Sequence, residues 1–111
     1  VVAGESSFGP ELERDARVAC LAAGHPVPDA RSLAAGAAAL RFAAEVPPGA
    51  RVLVLVSGGA SSLLEVPAGD VGLPDLRRFN EWALASGRPI GEINALRRRL
   101  SAVKDGRLLA R

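Results

Sequence analysis

The chain has 111 residues, 49% of them apolar, and balances 14 Lys and Arg against 12 Asp and Glu for a formal charge of +2. That length fits one small domain with material for a core, and the single cysteine, Cys20, excludes an internal disulfide framework or a multi-cysteine zinc site. With 4% aromatic residues and only Arg97-Arg98-Arg99 as a basic run, no nucleic-acid partner is expected.

No signal peptide opens the chain, and no apolar stretch approaches the roughly 20 residues that span a bilayer, so a soluble, cytoplasmic protein without membrane contact is expected. The chain opens on Val1-Val2 and contains no methionine, which reads as a processed, trimmed or fragmentary polypeptide.

Val1 to Ala3 read as the end of a strand, followed by a loop through Gly4, Gly9 and Pro10. Val18 to Ala23 form a short apolar run bounded by Gly24, which predicts a buried strand with Cys20 as one of its small apolar residues. Gly24-His25-Pro26-Val27-Pro28-Asp29 is a rigid loop, because each proline fixes its own φ and biases the residue before it toward extended backbone. Asp29 or Ser32 can cap the helix that follows, which runs to about Glu45 with Leu33, Ala37, Leu40 and Ala44 on one face. Val46-Pro47-Pro48-Gly49 ends it.

Val52 to Val56 are β-branched or leucine with no polar alternation, the pattern of a strand covered on both faces in a parallel sheet. The order strand, helix, strand predicts a right-handed βαβ unit with the two strands parallel. Beyond the Ser57-Gly58-Gly59 turn, Ser61 to Leu64 would open a helix. Further helices are expected from about Leu73 to Ser86, with Leu76, Phe79 and Ala83 facing the core, and from about Ile90 to Leu100, with Ile93, Leu96 and Leu100 inward and Arg97 to Arg99 largely off that face. Gly87 is placed as a left-handed stop, and Arg107 to Arg111 as the start of another element. Together these features predict an α/β domain: a three-layer α/β/α, Rossmann-like arrangement with a mainly parallel sheet, incomplete in this chain.

Ligands in open α/β sheets collect beyond the carboxyl ends of strands, where glycines let backbone N–H groups approach an anion and a helix start adds a favourable dipole. Ser57 to Ser62 occupies such a place, although on the residues alone a tight strand-to-helix turn is the readier explanation. The loop has neither GxxxxGK[ST] nor GxGxxG. Gly59-Ala60-Ser61 begins GxSxG, but Leu63 fills the fifth place, and the only histidine, His25, precedes Ser61 rather than following it as a nucleophile elbow requires. His25 lies on a loop suited to substrate binding or acid–base work, or to local hydrogen bonding. Ser101-Ala102-Val103-Lys104 matches S-x-x-K without the SDN and KTG segments that accompany it in penicillin-binding enzymes. Lys104 is the only lysine, placed either to steady phosphate or carboxylate charge or to stand exposed at a helix end.

Taken together, GHPVPDA (Gly24 to Ala30), LVSGGASSLL (Leu55 to Leu64), LASG (Leu84 to Gly87) and EINALRRRLSAVKDGRL (Glu92 to Leu108) closely resemble the amino-terminal, DUF4147 domain of the class II glycerate 2-kinases. The resemblance covers about Arg17 to the end, with blocks in matching order and spacing. Departures are Ser62 for alanine, Arg99 for histidine, and Asp105 for the first glycine of a Lys-Gly-Gly-Arg segment, where a backbone with φ > 0 tolerates aspartate only sometimes.

The resemblance implies transfer of a phosphoryl group from ATP, with Mg2+, to the 2-hydroxyl of D-glycerate, giving 2-phosphoglycerate. It assigns Ser57, Gly58, Gly59, Ala60 and Ser61 to phosphate or substrate binding, with His25 and Asp29 lining the cleft and Arg97 and Lys104 stabilising charge. It also implies that residues 1–111 are an internal piece of the first domain. A glycine-rich, lysine-bearing segment would precede them and a second, MOFRL domain would follow, with the active site between domains, so that the piece alone would be inactive and marginally stable. Some relatives carry the name hydroxypyruvate reductase, so a reductase is the alternative, and a non-catalytic domain binding nucleotide or hydroxy acid is another.

Overall fold

A computed structural model of the chain describes residues 1–4 and 8–110. It is an α/β structure with seven elements among those residues: β1 (Val2–Ala3), α1 (Pro10–Arg14), β2 (Leu21–Ala22), α2 (Ala30–Glu45), α3 (Ala60–Leu63), α4 (Leu73–Ala85) and α5 (Ile90–Arg99). The part of the predicted amino-terminal loop at positions 5–7, and the last residue of the predicted final element, lie outside the described residues.

The two strands are parallel, with Val2 opposite Leu21 and Ala3 opposite Ala22. Leu21 N donates to Val1 O and Ala23 N to Ala3 O, each at 2.9 Å. The strand expected over 18–23 thus exists, shortened to the two residues that pair in register with β1. Helix α1, where the sequence suggested a loop, starts on Pro10 and carries Glu11 and Glu13 near its positive end and Arg14 in its last turn.

The strand expected over Val52 to Val56 is not formed, and with it the predicted βαβ pairing and a three-layer sheet are missing among the described residues. The side chains from Val52 to Val56 are exposed, Leu53 at 83% and Leu55 at 85%. The physical reason is pairing: apolar composition favours a covered strand, but a strand exists only where a neighbour accepts and donates its backbone hydrogen bonds, and none of the described residues does so here.

Helix α2 begins where the sequence places it. Asp29 Oδ1 accepts from Arg31 N at 2.9 Å and Ser32 N at 3.1 Å, while Ser32 Oγ accepts from Asp29 N at 3.1 Å, so both candidate caps act in one capping box. Its buried residues are Ser32, Ala35 and Gly36 rather than the predicted Leu33, Ala37, Leu40 and Ala44. The reason is close backbone contact. Glu65 N donates to Ser32 O at 3.1 Å, and a methyl group built on Gly36 would sit 2.1 Å from Glu65 O. A surface made of small residues lets the 65–66 backbone lie directly on the helix.

Helix α4 keeps Pro74 in its first turn, and its Asp75 Oδ2 accepts from Gly72 N at 2.9 Å. Leu76 and Ala83 are buried as predicted, with Asn80 as the third buried position and Phe79 half-buried. Gly87 takes φ 62°, the expected left-handed stop. Helix α5 buries Ile93, but Leu96 is 43% exposed and Arg97 is half-buried against α4, reversing part of the predicted stripe. Cys20 is half-buried and free.

Beyond α5 the chain turns back on residues 64–68. Pro67 and Ser101 form an antiparallel bridge, Ala68 N donates to Leu100 O at 3.0 Å, and Ala102 N donates to Val66 O at 2.8 Å. Residues 104–110 then form consecutive turns in place of a new regular element. The buried apolar set is small: Ala23, Ala35, Leu76, Ala83, Ile93 and Val103, joined by fully buried Pro28, Ser32 and Ser101.

Candidate functional site

The Ser57–Ser61 loop sits at the end of the extended apolar stretch and leads into the single turn α3. Gly59 precedes α3 with φ 86°, a left-handed conformation that L side chains resist. It is also crowded: a methyl group built on it would lie 2.8 Å from His25 Nε2. Ser62, the serine standing for the family's alanine, ties the turn down, since both its N and its Oγ donate to Gly59 O at 3.1 Å. Short as it is, α3 has little dipole to offer, so the anion-friendly features of the loop are its glycine backbone and serine hydroxyls.

Across from the loop stand α5 and the turn after it. Ser57, Gly59, Ala60 and Ser61 line an open cleft of about 710 Å³ together with Asn94, Arg97, Arg98, Lys104 and Asp105. Six of the nine residues singled out from sequence therefore line one cavity: Ser57, Gly59, Ala60, Ser61, Arg97 and Lys104. Gly58 is exposed and outside the lining. His25 is exposed and reaches the loop only by packing on Gly59. Asp29 does not line this cleft. Its carboxylate caps α2, accepts from Gly24 N at 3.3 Å and pairs with Arg31 at 2.7 Å. The bond from the Arg31 guanidinium, foremost, holds its carboxyl below the ordinary value.

Lys104 is positioned by the hairpin-like contact between 64–68 and 100–104. Ser101, fully buried, turns the chain with its Oγ accepting from Val103 N at 3.3 Å and Lys104 N at 3.2 Å. The Lys104 ammonium then donates to Glu65 Oε2 and to Leu64 O, the latter at 3.3 Å. It lies 17% exposed beside a carboxylate only 4% exposed. Burial pushes the lysine below its ordinary value, and Glu65 opposes that shift while Arg97 adds to it. An ammonium has three donors, and two are used here.

Arg97 is held by three neighbours. It donates to Asn94 Oδ1 at 3.0 Å and Asn80 Oδ1 at 3.4 Å, and its guanidinium lies 5.9 Å from the centroid of the Phe79 ring. Asn80 is itself anchored by donating to Leu76 O at 2.8 Å. Arg97 Nε is buried with no acceptor among the described residues, so its fork of five donors is not exhausted by the protein. Burial lowers its pKa, with Glu65 opposing.

Glu65, Asn80 and Asn94 were not singled out from the sequence. Glu65 carried a signal: it is a lone carboxylate directly after Leu63-Leu64 and before Val66, a place where an acid needs a buried partner. Asn80 had none, since its contact with Arg97 arises from α4 meeting α5, whereas Asn94 stands three residues before Arg97 on the same helix, the spacing at which helical side chains meet. Among the described residues no group of three His, Cys, Asp or Glu comes together, Glu65 is taken by Lys104, and Asp105 contacts Arg98 at 3.4 Å. These residues do not form a magnesium site by themselves. Anionic groups suit the opening better, since three cations and two serine hydroxyls line it.

Such a site, a cleft lined by cations beside a glycine turn in a small α/β unit, defines a class rather than one protein. A sequence comparison narrows it: residues 2–111 match the family described as a domain of unknown function, DUF4147, and the chain belongs to that family.

A glycerate 2-kinase of Pyrococcus horikoshii is 38% identical over 101 residues, covering 91% of this chain and 22% of that protein. A D-glycerate 2-kinase of Thermotoga maritima is 40% identical over 89 residues, covering 80% and 21%. An Agrobacterium vitis protein bearing a hydroxypyruvate reductase name is 42% identical over 92 residues, covering 83% and 24%. A crystal structure of a Pyrococcus horikoshii OT3 protein superposes with a TM-score of 0.83 at 35% identity, over 99% of this chain and 24% of that one. The chain thus spans less than a quarter of the length of these relatives.

Proposed function

We propose that this chain is part of a glycerate 2-kinase, and that in the complete protein it contributes one wall of a site that phosphorylates the 2-hydroxyl of D-glycerate from ATP. The observation that carries the reading is the cleft in which the Ser57–Ser61 turn faces Arg97 and Lys104, in a chain whose relatives of 38% and 40% identity are named glycerate 2-kinases.

In that reaction the hydroxyl oxygen bonds to the γ-phosphorus as the bond to the β–γ bridging oxygen breaks, ADP leaves with that electron pair, and the hydroxyl proton passes to solvent. Phosphoryl transfer depends on positioning and on neutralising oxygens. Lys104 and Arg97 supply positive charge, with one ammonium donor and the unshared guanidinium donors directed to ligand oxygens. Ser57 and Ser61 donate hydroxyl hydrogen bonds, and the backbone from Gly58 to Ala60 approaches the anion closely. His25 supports the loop at Gly59, and Asp29 orders the start of α2 rather than touching substrate. No step is assigned to the metal.

In the complete protein the proposal places 1–111 within an amino-terminal, three-layer Rossmann-like domain of the cytoplasm, with Val52 to Val56 paired in its mainly parallel sheet and a MOFRL domain across the cleft. The test is to incubate the intact protein with ATP, magnesium and D-glycerate and follow products by 31P NMR. A 2-phosphoglycerate resonance is expected. The 42% match to a protein with a reductase name makes hydroxypyruvate reductase the second reading; NADH or NADPH oxidation with hydroxypyruvate, and no phosphoester, would establish it instead.

A further inference from the structure

We propose that Glu65 is the positioning residue for Lys104: it ties the only lysine of the chain to α2 and holds the ammonium at the cleft wall opposite the Ser57–Ser61 turn. The inference rests on the kinase reading for its effect on turnover, but not for the positioning itself.

The geometry comes from three contacts made by one residue. Glu65 N donates to Ser32 O at 3.1 Å, which fixes its backbone on the first turn of α2. Its carbonyl lies over Gly36 so closely that a methyl group there would sit 2.1 Å away. Its side chain, 4% exposed, accepts from Val66 N at 3.0 Å through Oε1 and from the Lys104 ammonium through Oε2. The 67–101 bridge sets the register that brings positions 65 and 104, thirty-nine residues apart in sequence, onto the same side.

Glu65 is therefore not a free acid available as a general base, since both oxygens are committed. Nor is the pair a device for stability alone. Apolar replacements fill such a place at no loss in many buried ion pairs, whereas this pair leaves one ammonium donor unused on a residue that lines the opening with Ser61, Leu64 and Arg97. The other charges facing Lys104 are Arg97 on α5 and the Arg98–Asp105 pair beyond it. Burial and Arg97 disfavour the ammonium, and Glu65 is what opposes them. Removing its charge shifts the lysine toward the neutral amine and frees the side chain to move.

The test uses the intact protein that contains this chain. Acylation of Lys104 by an amine-selective reagent is followed by mass spectrometry across pH in wild type, Glu65→Gln and Glu65→Asp, alongside kcat and KM for D-glycerate. In Glu65→Gln the labelling midpoint is expected to fall by about one pH unit or more. In the same variant kcat is expected to fall about a hundredfold, with KM changed less than about threefold. Glu65→Asp keeps the charge and restores the midpoint. An unchanged midpoint and unchanged kcat in Glu65→Gln overturn the inference.

If wild type transfers no phosphoryl group to D-glycerate, the kinase reading fails, while the labelling midpoint still decides the Glu65–Lys104 relation on its own. Where Glu65→Gln does not fold, wild type supplies the readout. The Lys104 ammonium protons are expected to exchange slowly enough to be seen by 15N-resolved NMR at neutral pH, and rapid exchange with solvent would count against the held ammonium.

Discussion

Two stretches of this chain invert the usual relation between polarity and burial. Val52 to Val56, its most continuous aliphatic run, is exposed, with Leu55 at 85%, while twelve residues from Leu53 the carboxylate of Glu65 is almost fully buried beside a lysine. The difference is in the partners. Residues 64–68 have the 100–104 segment on one side and α2 on the other, so their backbone bonds are made and a charge among them can be paired. Among the described residues no strand pairs with 52–56, and these side chains stay largely exposed. Composition states what a segment tends toward, and a neighbour decides whether that tendency is realised.

The largest effect is expected at the buried end of the comparison. Gly36→Ala forces α2 off the Glu65 carbonyl and is expected to cost the intact protein about 3 kcal/mol or more, measured as a lowered urea midpoint. A midpoint within error of wild type would mean that α2 and Glu65 are not in contact.

Next is the turn that joins the two stretches. Gly59→Ala meets both a positive φ and the His25 ring, so a loss of about 2 kcal/mol and a clear fall in turnover are expected from thermal melts and kinetics. Pairing it with His25→Ala should relieve the steric share and leave the backbone share, which a double-mutant cycle resolves.

Leu53→Glu examines the exposed stretch itself. In the intact protein, where we place a neighbouring strand, it is expected to cost about 1.5 kcal/mol, and in the 111-residue chain less than about 0.5 kcal/mol. Equal costs in the two chemical-denaturation series would remove the proposed neighbour.

A smaller effect belongs to pH. The Arg31 guanidinium, with the N–H groups at the start of α2, holds Asp29 below its ordinary value of 3.8, so the folded carboxylate is the stabilised form. That contribution is fully present above 3.8 and is lost as pH falls through the lowered folded value. Asp29→Ala is expected to lose about 1 kcal/mol at neutral pH and to lie closer to wild type in acid, checked by melts at both. The smallest change is Asp105→Gly. Asp105 occupies φ 61°, and glycine there should gain about 0.5 kcal/mol, the relieved strain partly offset by a freer unfolded chain.

What could be read from the chain in advance follows the same division. Local chemistry was readable: the Asp29–Ser32 capping box, the left-handed stop at Gly87, and the strained backbone at Asp105, which the family pattern marks as a glycine position. The grouping of the serine-glycine turn with Arg97 and Lys104 was readable through the resemblance, and the cleft places them together. Features that depend on a second segment were not. Helix α2 turns its alanine and glycine inward because a backbone lies on it, which a count of leucines at helical spacing does not reveal. Asn80 donates within its own helix to Leu76 O, and its acceptor side is taken up by Arg97 seventeen residues later.

Gly36 carries a consequence that reaches beyond stability. With no side chain between α2 and the Glu65 carbonyl there is no compliant layer at that joint, and Glu65 passes directly from helix backbone to lysine ammonium. Residues 32–36, 65 and 104 thus form one continuous line of contacts from the start of α2 to the cleft. A ligand oxygen that takes up the Lys104 ammonium competes with Glu65 for it at the end of that line.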